Sequence, residues 1–310
     1  MLTGTVLRGQ GGVYEVETAD GVLEAVLRGK LKRDERSGEK VVVGDRVEMA
    51  PEKSGEATVW AIQKVHERTS ILARRAPGKA PRPKLIAANI DQLLIVFAAA
   101  NPTPHLRMLD RFLVIAEDAE IPPVIVVNKI DVAGEEEARR TFAPYVAAGY
   151  TVLFTAAKQG VGVSEAAERL CGRMSALAGP SGVGKSSLLN AVQPGLGLRV
   201  SEVSEAQNKG RHTTVTAQLI PLECGGYVAD TPGLRELGLW EVDRGNLQFY
   251  FPEFEPFRYD CRYSGCTHVH EPGCAIQAAA EEGRVDPGRY DSYRRMMTGE
   301  DDEDAPSNRW

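Results

Sequence analysis

The 310-residue chain is poor in cysteine, poor in aromatic residues and free of long apolar runs. Five cysteines cannot make a disulfide scaffold of a chain this size. The longest apolar run, Leu93–Ala100, falls far short of the roughly twenty residues that span a bilayer, so no membrane partner is expected. The N-terminal Met1-Leu2-Thr3-Gly4 lacks a basic stretch followed by an apolar core, and a cytoplasmic protein is the expectation. Aromatic residues make up 6%, and only Tyr14 and Trp60 fall within residues 1–70, which leaves little for base stacking there. No repeat or coiled-coil pattern points to self-association, and a monomer is expected.

Net basicity is also absent: the formal charge is −6. Residues 300–310 hold five acids and one arginine, however, and read as a disordered acidic tail. Without them the balance is −2. Arg68, Arg74, Arg75, Lys79, Arg82 and Lys84 lie in one stretch that contains no acid. Local rather than total charge sets an RNA-binding surface, so a nucleic-acid partner stays open.

What is present falls into segments. Residues 1–70 show short alternating runs at Thr3–Arg8, Val13–Thr18, Val22–Leu27, Val41–Ala50 and Ala57–Val65, separated by glycine or charge. This predicts a small β-barrel, of OB type or alternatively SH3-like. Residues 71–85 read as a basic linker. Over 86–245 buried-strand runs (Gln92–Ala98, Val124–Val127, Thr151–Thr155, Ser175–Ala178) alternate with helical stretches (His105–Ala119, Glu135–Ala148, Ser164–Arg173), which predicts an α/β domain around a parallel sheet. Strands near Ala217–Leu222 and Gly226–Ala229 complete it. Residues 246–299 hold a cysteine–histidine cluster and helices.

Gly179-Pro180-Ser181-Gly182-Val183-Gly184-Lys185-Ser186 is a full P-loop, following a strand and opening a helix at Ser187. Its backbone N–H groups and helix N-terminus suit phosphate. Lys185 would reach the β and γ phosphates and Ser186 would bind Mg²⁺. Asn128-Lys129-Ile130-Asp131 ends the strand Val124–Val127, where a buried Asp131 carboxylate would accept from guanine N1 and its exocyclic amine, donors that adenine lacks. Thr155-Ala156-Ala157-Lys158 matches a loop that supports guanine through a backbone N–H, placing Ala156 and Lys158 in the site. Gly210-Arg211-His212-Thr213-Thr214 offers a switch threonine, Thr213 or Thr214, for Mg²⁺. Asp230-Thr231-Pro232-Gly233 would put Asp230 on the Mg²⁺ shell and the Gly233 N–H on the γ phosphate. These are the parts of a GTPase site, but the guanine selector precedes the P-loop by about fifty residues. A circular permutation accounts for the order.

Leu234 stands where Ras-like enzymes carry a water-orienting glutamine, so slow basal hydrolysis is expected, with His212 the candidate to position water. Cys261, Cys266, Cys274 and either His268 or His270 suit one tetrahedral structural Zn²⁺. Cys171 and Cys224 read as isolated, buried thiols.

These motifs, with Ala88-Asn89-Ile90-Asp91-Gln92 and the Cys-x4-Cys-x-His-x5-Cys segment containing Glu271-Pro272-Gly273-Cys274, resemble the RsgA/YjeQ family of circularly permuted GTPases over nearly the whole chain. The resemblance implies an N-terminal OB fold, a permuted GTPase domain and a C-terminal zinc domain with His268 as the ligand. It further implies GTP hydrolysis to GDP, stimulated by the small ribosomal subunit, and a late role in that subunit's maturation through its rRNA. The acidic tail is not part of the pattern.

Overall fold

The computed structural model describes residues 1–29, 31, 40–54, 57–74, 84–198, 217–230 and 243–300. Five strands close a barrel at the N-terminus: β1 (Leu2–Gln10), β2 (Val13–Thr18), β3 (Gly21–Leu27), β4 (Arg46–Ser54) and β5 (Ala57–Val65). They pair in the order β1-β2-β3-β5-β4, and β4 returns to β1. The β3–β5 pair is parallel and the rest antiparallel. This is the OB-type arrangement, closed so that no barrel edge is left unpaired. Alternation along the strands turns Val6, Tyr14, Val16, Val47, Met49 and Ile62 inward.

The strand expected from Val41 begins only at Arg46. Buried Asp45 is the reason: its carboxylate accepts from the Val42 N–H at 2.8 Å and from Arg68 at 2.7 and 2.8 Å, which bends the chain into a turn. The ends of the expected 71–85 linker are also ordered. β6 (Ile71–Arg74) and β7 (Lys84–Ala88) pair antiparallel. Leu72 and Ala87 join Leu7 and Val43 under the following domain, so barrel and core share one apolar cluster.

That domain is an α/β sheet in the order β10-β9-β8-β11-β13-β12, built from β8 (Gln92–Ala98), β9 (Pro123–Asn128), β10 (Thr151–Phe154), β11 (Met174–Ala178), β12 (Gln218–Pro221) and β13 (Tyr227–Asp230). All neighbours are parallel except β12 with β13. Every residue of β8 is buried, as a sheet covered on both faces requires. The helices are α1 (Leu106–Asp118), α2 (Ile130–Ala133), α3 (Glu135–Ala147), α4 (Val163–Leu170) and α5 (Lys185–Val192). Phe112 and Leu113 of α1 and Phe142 of α3 pack on one face, while Leu170 of α4 and Leu188 of α5 pack on the other. From β8 the chain adds strands in one direction, and from β11 in the other. The crevice between β8 and β11 is thus a topological switch point, where ligands bind in open α/β sheets. The barrel meets this sheet where β1 pairs antiparallel with β12, at Arg8 and Gln218.

The C-terminal lobe has two 3₁₀ turns, Leu247–Tyr250 and Pro252–Phe254, and helices α6 (Ala275–Glu281) and α7 (Pro287–Thr298). Phe251, Phe254, Ile276 and Tyr293 form its core together with Val114 from α1. Glu300, expected in the acidic tail, instead accepts from Arg294 at 3.1 Å and Arg295 at 3.5 Å, which secures the end of α7. The remaining tail residues, 301–310, and the charged Lys30–Lys40 stretch apart from Leu31 and Lys40 lie outside the described residues. Among the described residues no helix is long and apolar enough to cross a membrane.

Candidate active site

The P-loop leaves β11 and enters α5, whose N-cap is Gly184. Gly184 has φ +98°, and a Cβ there would lie 2.3 Å from Asn128 Nδ2. Only glycine accepts both the left-handed backbone and that approach. Asn128 is buried at the end of β9. Its Nδ2 donates to the Val183 carbonyl at 3.0 Å, and its Oδ1 accepts from Thr155 Oγ1 and the Ala157 N–H, both at 3.1 Å. One side chain therefore holds together the strand end of the Asn-Lys-Ile-Asp motif, the P-loop and the Thr155–Lys158 loop.

Lys129 adds a second tie. Its Nζ donates to the Gly182 carbonyl at 2.7 Å and to the Asn101 carbonyl. Burial, with Lys158 nearby, lowers its pKa from the ordinary lysine range. The carbonyls of Gly182 and Val183 are thus both bonded to this motif, which ties the P-loop to the end of β9. Lys185 Nζ donates to the Gly179 and Pro180 carbonyls at 2.7 and 2.6 Å, which places its ammonium across the loop. Ser186 and Ser187 are half-buried in the first turn of α5, and Ser181 is exposed at the loop's tip.

Ile130 is buried, and its N–H donates to the Thr155 carbonyl at 3.2 Å. Asp131, expected as a buried carboxylate, is exposed, and its Oδ2 accepts from Gln159 Nε2 at 3.2 Å. It lies in the first turn of the four-residue α2 at the rim, where the chain has already left the sheet. The Ala156 N–H donates to Val161, and Lys158 is exposed at the outer end of the loop. Asp230 ends β13. The register Ala176–Ala229 carries its backbone alongside the approach to the P-loop. The Asp230 side chain, Gly233, Leu234, and Gly210–Thr214 with His212, Thr213 and Thr214 lie outside the described residues.

Asn101 and Gln159 touch the site from outside the motifs, and Thr155 takes part through its side chain as well as through its loop. Asn101-Pro102 is a turn signal directly after a buried strand, and that was the available clue.

The metal cluster lies in the C-terminal lobe. The ligand atoms of Cys261, Cys266, His268 and Cys274 are all within 4.8 Å of one another. His268 Nδ1 is 3.5 Å from Cys261 Sγ and 3.3 Å from Cys274 Sγ, and the two sulfurs are 3.8 Å apart. A tetrahedral ion with bonds of ~2.3 Å to sulfur sets its thiolates about 3.8 Å apart, so the four residues fit a metal ion. His268 Nε2 is 2.9 Å from Gln248 Oε1, which fixes Nδ1 as the ligating nitrogen, a contact with no sequence signal. His270 is exposed and outside the cluster. Burial, together with the neighbouring sulfurs, pushes the Cys266 thiol up to about 12, and burial raises Cys274 and lowers His268. Cys266, Cys274 and His268 are thus biased toward their neutral forms, and a bound cation would offset that bias at the two thiols.

Cys171 and Cys224, expected as isolated buried thiols, instead form a disulfide between two surface turns. The sequence separation of 53 hid the pairing, which the fold alone creates.

The model of the RsgA GTPase family matches residues 65–240, and that of the RsgA N-terminal domain matches residues 3–59. The chain belongs to the RsgA GTPase family. It is 51% identical over 295 residues to the small ribosomal subunit biogenesis GTPase RsgA of Gemmatimonas aurantiaca, covering 95% of this chain and 96% of that protein. It is 44% identical to the RsgA of Moorella thermoacetica, covering 96% of each. The crystal structure of YjeQ from Thermotoga maritima matches with a TM-score of 0.78 at 36% identity, over 96% of this chain and 98% of that one. YloQ, described as a circularly permuted GTPase, matches with a TM-score of 0.74 at 28% identity, over 99% and 97%. The RsgA fold therefore accounts for the motif order, since the selector-first chain builds one sheet with both motifs at the same edge.

Proposed function

We propose that this protein hydrolyses GTP to GDP and phosphate as a late factor in small ribosomal subunit biogenesis, binding rRNA and stimulated by the subunit. The observation that carries the reading is the Asn128 bridge between P-loop and guanine loop, which builds one nucleotide site from motifs in permuted order. The names of its relatives supply the biological setting.

In this reading Asp131 accepts from guanine N1–H and the exocyclic amine. The Thr155–Lys158 loop supports the base, and the N–H groups of 179–187 with Lys185 hold the phosphates. Exchange of Lys185 from the Gly179 and Pro180 carbonyls to phosphate oxygens makes the ammonium a nucleotide-dependent contact. Ser186, Asp230 and Thr213 or Thr214 would hold Mg²⁺. Mg²⁺, when bound, neutralises developing charge on the phosphates. The Gly233 N–H senses the γ phosphate and His212 orients water. Cys261, Cys266, His268 and Cys274 would hold one structural Zn²⁺, four protein ligands leaving no position for catalysis. The protein acts as a cytoplasmic monomer, in domains bounded near 1–70, 71–85, 86–245 and 246–299.

GTP turnover measured with and without purified small subunits tests the reading. Stimulation by subunits in the wild type, and its loss in His212→Ala, is the expected result. Turnover indifferent to subunits would leave a nucleotide-switched scaffold as the better account, and unchanged stimulation in His212→Ala would remove that histidine from the mechanism.

A further inference from the structure

The Cys171–Cys224 disulfide belongs neither to the nucleotide site nor to the metal cluster. Cys171 is the C-cap of α4, and Cys224 lies in the turn joining β12 to β13. Their Cα atoms are 5.3 Å apart, inside the span a disulfide bridges without moving the backbone.

The two turns hold each other independently of the sulfurs. The Gly172 N–H donates to the Gly225 carbonyl at 2.8 Å, and the Tyr227 N–H donates to the Arg173 carbonyl at 2.8 Å. A Cβ at Gly226 would come within 2.5 Å of the Arg173 backbone, so the chains touch there directly. Two cysteines would thus be held in bridging range whether or not they are bonded. Cys224 is exposed and Cys171 half-buried, so dissolved reagents reach the bond. Accessible disulfides are the exchangeable ones.

The position gives the bond mechanical reach. The strand after Cys171 is β11, which delivers the P-loop, and the strand after Cys224 is β13, which delivers Asp230. β12, on the other arm of the same hairpin, is the strand that pairs with the barrel.

We propose that Cys171 and Cys224 are a thiol–disulfide modification site, closed by small-molecule disulfides of the glutathione type and opened by the corresponding thiols, and that closure fastens the β12–β13 hairpin to the base of the P-loop strand. In closure the exposed Cys224 thiolate attacks the small disulfide, forms a mixed disulfide and expels one small thiolate. The Cys171 thiolate then attacks the Cys224 sulfur and expels the second. The two cysteine protons end on the two released thiols. Two electrons pass from protein to reagent, and opening is the same sequence reversed.

The test uses the full-length, zinc-loaded protein equilibrated in glutathione buffers graded from reduced to oxidised, quenched with an alkylating agent and digested. Mass spectrometry then follows the peptide cross-linked between 171 and 224. The cross-link should rise sigmoidally across the series and be absent in Cys171→Ser. Two alkylated sulfurs in fully oxidised buffer, or an intact bond in fully reduced buffer, would overturn the exchangeable site. Amide exchange over 218–230 should be at least about tenfold slower in the bridged form. Equal exchange in both forms would overturn the fastening.

Discussion

Asn128 Nδ2 donates to the Val183 carbonyl at 3.0 Å, so the guanine selector and the P-loop are one hydrogen-bonded unit. Residues that stand 55 apart in the chain meet because β9 and β11 flank β8 and end on the same side. Replacing Asn128 by alanine removes this bond and the two that Oδ1 accepts. A stability loss of about 1–3 kcal/mol and at least about tenfold weaker GDP binding are expected. Titration with a fluorescent GDP analogue, alongside denaturant unfolding, measures both. Wild-type affinity in Asn128→Ala would mean the bridge does not shape the site.

Gly184→Ala should act on the same contact from the other side. The new Cβ falls on Asn128 Nδ2, and φ of +98° strains any side chain, at a cost of about 1–3 kcal/mol. Part of that cost is the collision, so the substitution should be milder in an Asn128→Ala background than alone. A double-mutant cycle on nucleotide affinity reads the difference, and strict additivity would show that backbone strain alone is at work.

Arg289 anchors the C-terminal lobe to the nucleotide domain. It is buried, donates to Asp110 of α1 at 2.7 Å, and grips Glu253 at 2.7 and 3.0 Å. Burial opposes its charge, but the two carboxylates outweigh that and hold it protonated. Arg289→Met leaves both carboxylates without their partner and should cost about 3–5 kcal/mol, read as a lower urea midpoint. Burial already pushes the Asp110 carboxyl above its ordinary range. A carboxyl whose folded-state pKa is raised binds protons more tightly in the folded state, so stability falls as pH rises from its unfolded value through its folded one. Arg289→Met should therefore regain stability as pH falls from 7 toward 4. A deficit that stays constant over that range would argue against buried carboxylate charge as its source.

Metal removal should loosen the C-terminal lobe. A strong chelator is expected to release one Zn²⁺ per chain and to raise amide exchange in the two 3₁₀ turns and α6. The effect should reach α1 through Val114, which packs in the same cluster as Phe251 and Cys266. Gln248→Leu should weaken metal binding by about 10–100-fold by freeing the His268 ring. Competition with a chromophoric chelator measures this, and an unchanged constant would limit Gln248 to packing.

The parts of the molecule legible in the sequence are those written by local rules. Alternation gave the barrel strands, and the uninterrupted apolar run gave β8. The P-loop lies between strand and helix, as its glycines and lysine required. Asp45 defeated the alternation rule, because a buried side chain that caps its own turn looks like any polar residue between apolar ones. The pairing of β6 with β7 was hidden by the surrounding charge, although Leu72 and Ala87 carry its packing. Gln248, Arg289 and the Cys171–Cys224 pair were illegible for a different reason. Each acts only through a partner that tertiary structure supplies.

The ion pair between Asp110 and Arg289 spans 179 residues and so bridges the whole stretch between α1 and α7. During synthesis α1 therefore emerges long before Arg289 is made. The nucleotide domain's own elements are complete before that partner arrives, yet α1 cannot settle at full stability without it. The contact between α1 and α7 can therefore close only after the C-terminal lobe has been made. A fragment ending at residue 286 would contain every nucleotide motif but would lack both the partner and the cover that α7 gives Asp110, and it should unfold more readily than the full chain. Pulse proteolysis of a 1–286 fragment against the full chain measures that vulnerability.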